Sequence, residues 1–217
     1  MIADIPLMPI LAKLFEGLLA TLLLSLLAFV LGGAVGLLVL FARVGHWPLA
    51  RRISRGYIQL FQNTPLLMQM FLVFFGASMA GYSISPWTAA AIGLTLYTSA
   101  YLAEVWRGCV EAVPRGQWEA SSSLAMGYVQ QMRHVVLPQA LRLSVAPTVG
   151  FSVQIVKGTA VASIIGMTEL SKIGSMLANA TFQPFLIYGL VAAGYFILCW
   201  PLSMAASHLE KKLNAAR

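Results

Sequence analysis

The stretch GLLATLLLSLLAFVLGGAVGLLVLFA, from Gly17 to Ala42, holds no charged side chain. An α-helix needs about 20 apolar residues to cross a bilayer, so this run is long enough to span one. A second charge-free run, Gly56 to Ala103, is long enough for two crossings. Outward from these runs the whole chain has the same character. Of 217 residues 59% are hydrophobic and 10% charged, with a mean hydropathy of +0.80, a balance that a water-soluble globular domain does not have. Asp4, Lys13 and Glu16 at the start are not the basic n-region of a cleaved leader, so the first helix is expected to stay in the mature protein. Cys109 and Cys199 lie far apart, and His46, His134 and His208 show no ligand spacing, so neither a disulfide framework nor a metal or other cofactor site is expected. The formal charge of +7 gathers in short segments between apolar runs, which argues against a nucleic-acid footprint.

Apolar windows predict five spans: about Leu14 to Ala42, Tyr57 to Gly76, Pro86 to Val105, Pro138 to Gly166 and Pro184 to Ser207. Of the 14 Lys and Arg residues, eleven fall between or after spans on one side: Arg43, Arg51, Arg52, Arg55, Arg107, Arg115, Arg133, Arg142, Lys211, Lys212 and Arg217. Lys13 and Lys172 fall on the other, and Lys157 lies inside a span. By the positive-inside rule the N-terminus is outside and the C-terminus cytoplasmic, which five crossings satisfy. The expected fold is a single all-α integral membrane domain, residues 1–217, whose backbone polar groups are satisfied within helices. Gly32, Gly33 and Gly36 include a small-xxx-small spacing, read either as a close helix contact or as the general glycine enrichment of membrane helices.

The longest hydrophilic stretch, Arg107 to Arg142, is not patterned as a floppy linker. Pro114 suits the first turn of a helix, and Glu119, Ala120 and three serines follow without a breaker until Gly127. Tyr128, Met132 and Val135 then mark one face of a second helix, predicted to stop before Pro138. Two short helices at a turn make a compact knob. Ala120 and Ser121 offer little bulk and Glu119 offers a charge, as a surface that docks into a partner's groove would; the alternative is an interfacial element that caps the bundle.

The segment Glu119-Ala120-Ser121-Ser122-Ser123-Leu124-Ala125, nine residues, then Val135-Val136-Leu137-Pro138, resembles the EAA loop of ABC-importer permeases. Ser121 stands where that motif has a second alanine, Ala125 where it has glycine, and Val135 where it has isoleucine. The glycine normally permits the turn between the coupling helices, and Gly127 is placed to take over. Gln62-Asn63-Thr64-Pro65-Leu66-Leu67, Ala100 to Gly108, Pro114-Arg115-Gly116-Gln117 and Leu137-Pro138-Gln139-Ala140 are similar to the polar-amino-acid branch of that family. The likeness runs from about Thr21 to the C-terminal lysines. Gly158 departs from it, since the family more often has Asp, Asn or Ser after the lysine, a position that bears on substrate choice.

The resemblance implies five transmembrane helices plus two short cytoplasmic coupling helices in a loop of about 108–138, the type I ABC importer permease fold. It implies a bacterial inner-membrane protein with no enzymatic activity of its own, and these partners: two ATP-binding cassette ATPase subunits, a second permease subunit, identical or paralogous, and a periplasmic amino-acid-binding protein. Glu119, Ala120, Ser121, Ala125, Gly127, Leu137 and Pro138 are then the coupling residues. The residues themselves agree that ATP chemistry lies elsewhere, since no Gly-rich Walker A loop is present. For a solute path, Lys157 interrupts an uncharged span on one helical face with Gln154 and Gly150. It either meets a substrate carboxylate or snorkels to the interface as a structural lysine. Glu104, with Tyr101 and Tyr97 on its helical face, lines the path or pairs locally with Arg107. Asn63 and Thr64 before Pro65 cap or kink a helix, or touch solute.

Two other classes fit poorly. Gly150-Phe151-Ser152 invites an intramembrane serine enzyme, yet no histidine falls within a predicted core span to activate Ser152. A self-sufficient channel or ion-coupled carrier would embed more ionisable residues or broken helices at mid-membrane.

Overall fold

The computed structural model describes residues 7–215; Asp4 and Arg217, which entered the sequence reading, lie outside them. Among the described residues all regular structure is helical: α1 Leu7–Val44, α2 Pro48–Gln62, α3 Leu66–Met79, α4 Pro86–Glu111, α5 Arg115–Ser123, α6 Tyr128–Gln131, α7 Leu137–Gly158, α8 Leu170–Thr181 and α9 Pro184–Ala215.

Helix α1 buries Ile10, Leu14, Gly17, Thr21, Leu24, Ala28, Gly32, Gly36 and Leu40, a series stepping by three or four that keeps one stripe against the bundle. Its partner is the central helix α4. A Cβ on Gly32 would stand 2.6 Å from the Thr98 Cβ, and one on Gly36 would stand 3.1 Å from the Ser99 carbonyl oxygen. Of the two readings of the glycine pattern, the close contact is therefore the one realised at Gly32 and Gly36. Gly33 points elsewhere, with Trp106 Cη2 at 3.9 Å as its nearest neighbour.

Residue order along these contacts gives the direction of each pass. Gly32 meets Thr95 and Thr98 while Gly36 meets Ser99 and Leu102, so α1 and α4 run parallel. The chain must return between them, and α2 with α3 makes that return. Helix α7 runs against α4, since Thr148 pairs with Trp106 while Phe151 lies over Tyr101 and Tyr97. Helix α9 reverses again, placing Ala206 by Gly150 and Cys199 with Val153 and Val156. Five passes of alternating direction result. By length and apolarity α1, the rod Tyr128–Ser163 and α9 each suffice to cross a membrane. The 26-residue α4 is long enough, but Thr95, Thr98, Ser99 and its tyrosines dilute its apolarity.

Three predicted boundaries are corrected. The expected single helix Tyr57 to Gly76 is two helices bent by 102°. Pro65 cannot donate to the helix before it. The Gln69 side-chain amide instead donates to the Phe61 carbonyl at 2.8 Å and to the Thr64 carbonyl at 2.9 Å, and so satisfies groups the bend would orphan. Thr64 and Asn63 thus belong to a kink. The helix expected to stop before Pro138 does not stop: a π-helical turn, Met132–Val136, joins α6 to α7, with the Leu137 N–H bonded to the Met132 carbonyl. The wider turn carries the helix through a residue that has no N–H to give. The span predicted to run to Gly166 ends as α-helix at Gly158 and tightens into a 3-10 turn, Thr159–Ser163, before the unpredicted α8.

Helix α8 packs between α1 and α9 at the end of the bundle opposite the α5–α6 hairpin. A Cβ on Gly17 would meet the Leu170 backbone at 2.9 Å, and one on Gly174 would meet Val191 Cγ2 at 2.4 Å, so glycines set both approaches.

Candidate functional site

The α5–α6 hairpin has a core of its own. Val110, Val113, Met132, Val136 and Ala140 are buried together, with Trp118, Tyr128, Val135 and Leu137 packed against them. The predicted face of Tyr128, Met132 and Val135 is the one that lies inward. The Tyr128 hydroxyl donates to the Val44 carbonyl at 2.7 Å, fastening the hairpin to the end of α1. Burial pushes this phenol above its ordinary range, with nearby Arg51 pulling the other way. The Gln139 side-chain amide reaches both Gln117 Oε1 at 3.3 Å and the Val135 carbonyl at 2.9 Å. The hairpin is therefore a packed protrusion continuous with α7.

Its predicted residues divide between surface and interior. Glu119, Ala120, Ala125, Gly127 and Pro138 are exposed, and Leu137 is half-buried. Ser121 is buried, its hydroxyl donating to the Trp118 carbonyl at 2.9 Å, so it fills the hairpin and is not part of a small-residue surface. The turn is also made differently. Ala125 itself takes the left-handed conformation, φ 57°, while Gly127 is extended at φ −68°. The Ala125 N–H donates to the Ser122 carbonyl and the Met126 N–H to the Ser121 carbonyl, closing α5 in a Schellman turn. Sequence reading passed over Leu124 and Val129, two large apolar side chains exposed on either side of this turn. Their apolar character was legible, but their exposure was not.

On α7, Gly150, Gln154 and Lys157 fall within about 60° at 100° per residue. Gln154 and Lys157 are exposed on the single chain. Lys157 lines an open groove of about 370 Å³ between α7 and α9 with Tyr195, Cys199, Trp200 and Ser203. It has no carboxylate partner among the described residues. Gly158 turns the other way, and a side chain there would meet Leu66 Cδ2 at 3.2 Å and Leu94 Cδ2 at 3.4 Å. Its departure from the usual residue thus falls on packing against α3 and α4.

Glu104 is not brought to this groove. It accepts two hydrogen bonds from Arg107, at 2.9 Å and 2.6 Å, and Arg107 also pairs with Glu111, so the expected local ion pair forms. Tyr101 joins an aromatic stack: its ring lies 4.5 Å from Tyr97 and 5.5 Å from Phe151, nearly parallel to the latter. Phe151, not singled out in the sequence, bridges α4 to α7. Ser152 donates to the Val149 carbonyl at 2.6 Å, as a helix hydroxyl does.

The chain matches the family described as "Binding-protein-dependent transport system inner membrane component" over residues 40–214. It belongs to that family. Among relatives, the probable amino-acid ABC transporter permease protein YckA of Bacillus subtilis is 33% identical over 192 residues, covering 88% of this chain and 85% of that protein. The glutamine transport system permease protein GlnP of Escherichia coli is 32% identical over 209 residues, covering 95% of each. A crystal structure of an amino acid ABC transporter with histidines superposes with a TM-score of 0.91 at 30% identity, covering 95% of this chain and 96% of that one. The MetNI methionine ABC transporter, at 22% identity and a TM-score of 0.71, shares the fold. The all-α bundle is thus the type I ABC importer permease fold. The chain is an inner-membrane transport component whose ATP hydrolysis resides on partner subunits.

Proposed function

We propose that this permease carries a polar amino acid, or an amino-acid derivative, inward through a path it forms with a second permease subunit. A periplasmic binding protein delivers the solute and two ATPase subunits dock at the α5–α6 hairpin. The amino-acid assignment rests on relatives that span nearly the whole chain. Orientation rests on charge: Arg43, Arg51, Arg52, Arg55, Arg107, Arg115 and Arg133 gather at the hairpin end, while Lys13 and Lys172 lie at the α8 end. The positive-inside rule puts the hairpin and the C-terminus in the cytoplasm and the N-terminus in the periplasm.

The observation that carries the mechanism is the rod Tyr128–Ser163, in which α6, the second helix of the hairpin, runs on into the span. A load applied to exposed Glu119, Ala120, Leu124, Ala125 and Val129 passes through the hydrogen-bonded turn after α5 to α6 and so to α7. Helix α7 carries Gly150, Gln154 and Lys157 past the Tyr97–Tyr101–Phe151 stack on one side and α9 on the other, so rocking it alternates access to that face. Lys157 there supplies a cation suited to a solute carboxylate.

The test is Glu119→Lys in the full transporter reconstituted in liposomes with its ATPase and binding protein. Reversing a docking charge should cut uptake at least about tenfold, with the variant still folded and inserted. Wild-type uptake by that variant would remove the hairpin from the docking role.

A further inference from the structure

A cavity of about 440 Å³ lies at the hairpin end of the bundle, where α1, α2, α4 and the hairpin meet, and solute transport makes no use of it. Arg43, Arg51, Arg55 and Arg107 wall it, with His46 and Tyr128 beside them. Chain order brings three of these arginines together. Arg43 sits in the last turn of α1, and α2 starts its return pass at Pro48 with Arg51 and Arg55 near its head. One turn apart, Arg51 and Arg55 share a face of α2 that adjoins buried Ser54 and Ile58, so both turn toward the cavity. Arg52, 100° round from Arg51 on that period, is not in the wall.

The charges in the wall do not balance. Arg107 pairs with Glu104 and Glu111, and Glu111 is the only carboxylate in the wall among the described residues. Arg43, Arg51 and Arg55 have no carboxylate partner among those residues. Arg51 donates to the Gly45 carbonyl at 3.2 Å, whereas the Nε of Arg43 is buried without a hydrogen-bond partner. With His46 counted as neutral, four guanidinium groups stand against two carboxylates, an excess of two positive charges. Like charges in a partly enclosed wall repel, and a buried guanidinium N–H left unmet is costly; an anion in the cavity relieves both.

The size of that excess says which anion. A single carboxylate or a phosphodiester brings one negative charge, whereas a phosphate monoester carries about −1.5 to −2 at pH 7 and presents three strong acceptor oxygens. Guanidinium forks match such oxygens bidentately. Trp118, Tyr128 and Val110 line the rest of the cavity, which leaves room for a small organic body beside the phosphate. We infer that Arg43, Arg51 and Arg55 bind a dianionic phosphate, as the free ion or as the head of a small monoester. A phosphate so held ties the ends of α1 and α2 to the base of the hairpin. That the ligand is cytosolic rests on the orientation proposed above; binding to the isolated chain does not, so the two stand or fall separately.

Equilibrium dialysis of the full chain in neutral detergent against radiolabelled inorganic phosphate, at mildly alkaline pH and constant ionic strength, tests this. Wild type should show saturable binding at a single site per chain. Dimethyl phosphate, a monoanion, should displace the label about tenfold less well than unlabelled phosphate does; equal displacement would mean that the wall does not select a dianion, and would overturn the proposal without recourse to any variant. Arg51→Gln with Arg55→Gln should weaken binding roughly tenfold, while Arg52→Gln should stay within about twofold. Equal loss from Arg52→Gln, or none from the double variant, would also overturn the site. Glycerol 3-phosphate and adenosine monophosphate separate the two sources: displacement by either at lower concentration than inorganic phosphate identifies a monoester as the ligand, and displacement no better than phosphate identifies the free ion. If wild type bound no phosphate and the double variant lost co-purifying ATPase, the arginines would belong to a protein interface and the proposal would fall.

Discussion

Tyr195 of α9 donates a 2.7 Å hydrogen bond to Glu169, a fully buried carboxylate at the head of α8. The other carboxylate oxygen accepts from the Lys172 N–H at 2.8 Å, which makes Glu169 the N-cap of α8. Thr21 of α1 completes the join, its hydroxyl lying 3.4 Å from the carboxylate and accepting from the Leu170 N–H at 3.2 Å. Three segments far apart in the chain are thus tied at one side chain, in a place where water cannot substitute for a lost partner.

Glu169→Ala should therefore lower stability by about 1–3 kcal/mol, since it removes a cap and leaves Tyr195 only Ser171 as a hydroxyl partner. Tyr195→Phe should cost less, because the Lys172 and Thr21 contacts persist. Thermal unfolding of the purified chain in detergent reads both, and wild-type midpoints for the pair would mean that this network does not hold α8.

At the α1–α4 contact, Gly32→Val should destabilise by about 1–3 kcal/mol, because its Cβ would fall 2.6 Å from Thr98 and neither backbone can retreat cheaply. Gly33→Val, one residue along, has room and should be near neutral. The contrast between the two melting temperatures is the measurement; equal losses would refute the close-packed face.

Ala125 sits in a backbone region that costs an alanine roughly 1–2 kcal/mol and a glycine almost nothing. Ala125→Gly should stabilise the hairpin by about 1 kcal/mol and slow hydrogen exchange at the amides of Ala125 and Met126. Faster exchange in that variant would show that the turn is not the strained element.

Lys157 and Glu104 should separate in transport assays. Lys157→Met removes from the α7–α9 groove a cation with no carboxylate partner among the described residues, and should reduce uptake about tenfold or more, the size of a lost charge-assisted hydrogen bond. Glu104→Gln breaks a partly exposed ion pair with Arg107 and should leave the apparent solute affinity within about twofold of wild type. Unchanged uptake by the Lys157 variant would take that residue out of the path.

The sequence by itself determined what depends on neighbours in the chain. Charge-free runs marked the spans, and Pro114, Gly127 and the face of Tyr128, Met132 and Val135 marked the hairpin. Each is a local pattern whose period is imposed by the helix. Only the tertiary structure decided where burial comes from residues distant in sequence. Glu169 carried no signal in the sequence, because Thr21 and Tyr195, which enclose it, lie 148 and 26 residues away. Ser121 looked like surface until the hairpin folded over it, and Ala125 carried a turn that the family resemblance assigned to Gly127. The reason is common to all three: a helical period says which side chains share a face, but what covers that face, and what backbone strain the cover can hold in place, is set by packing across the bundle.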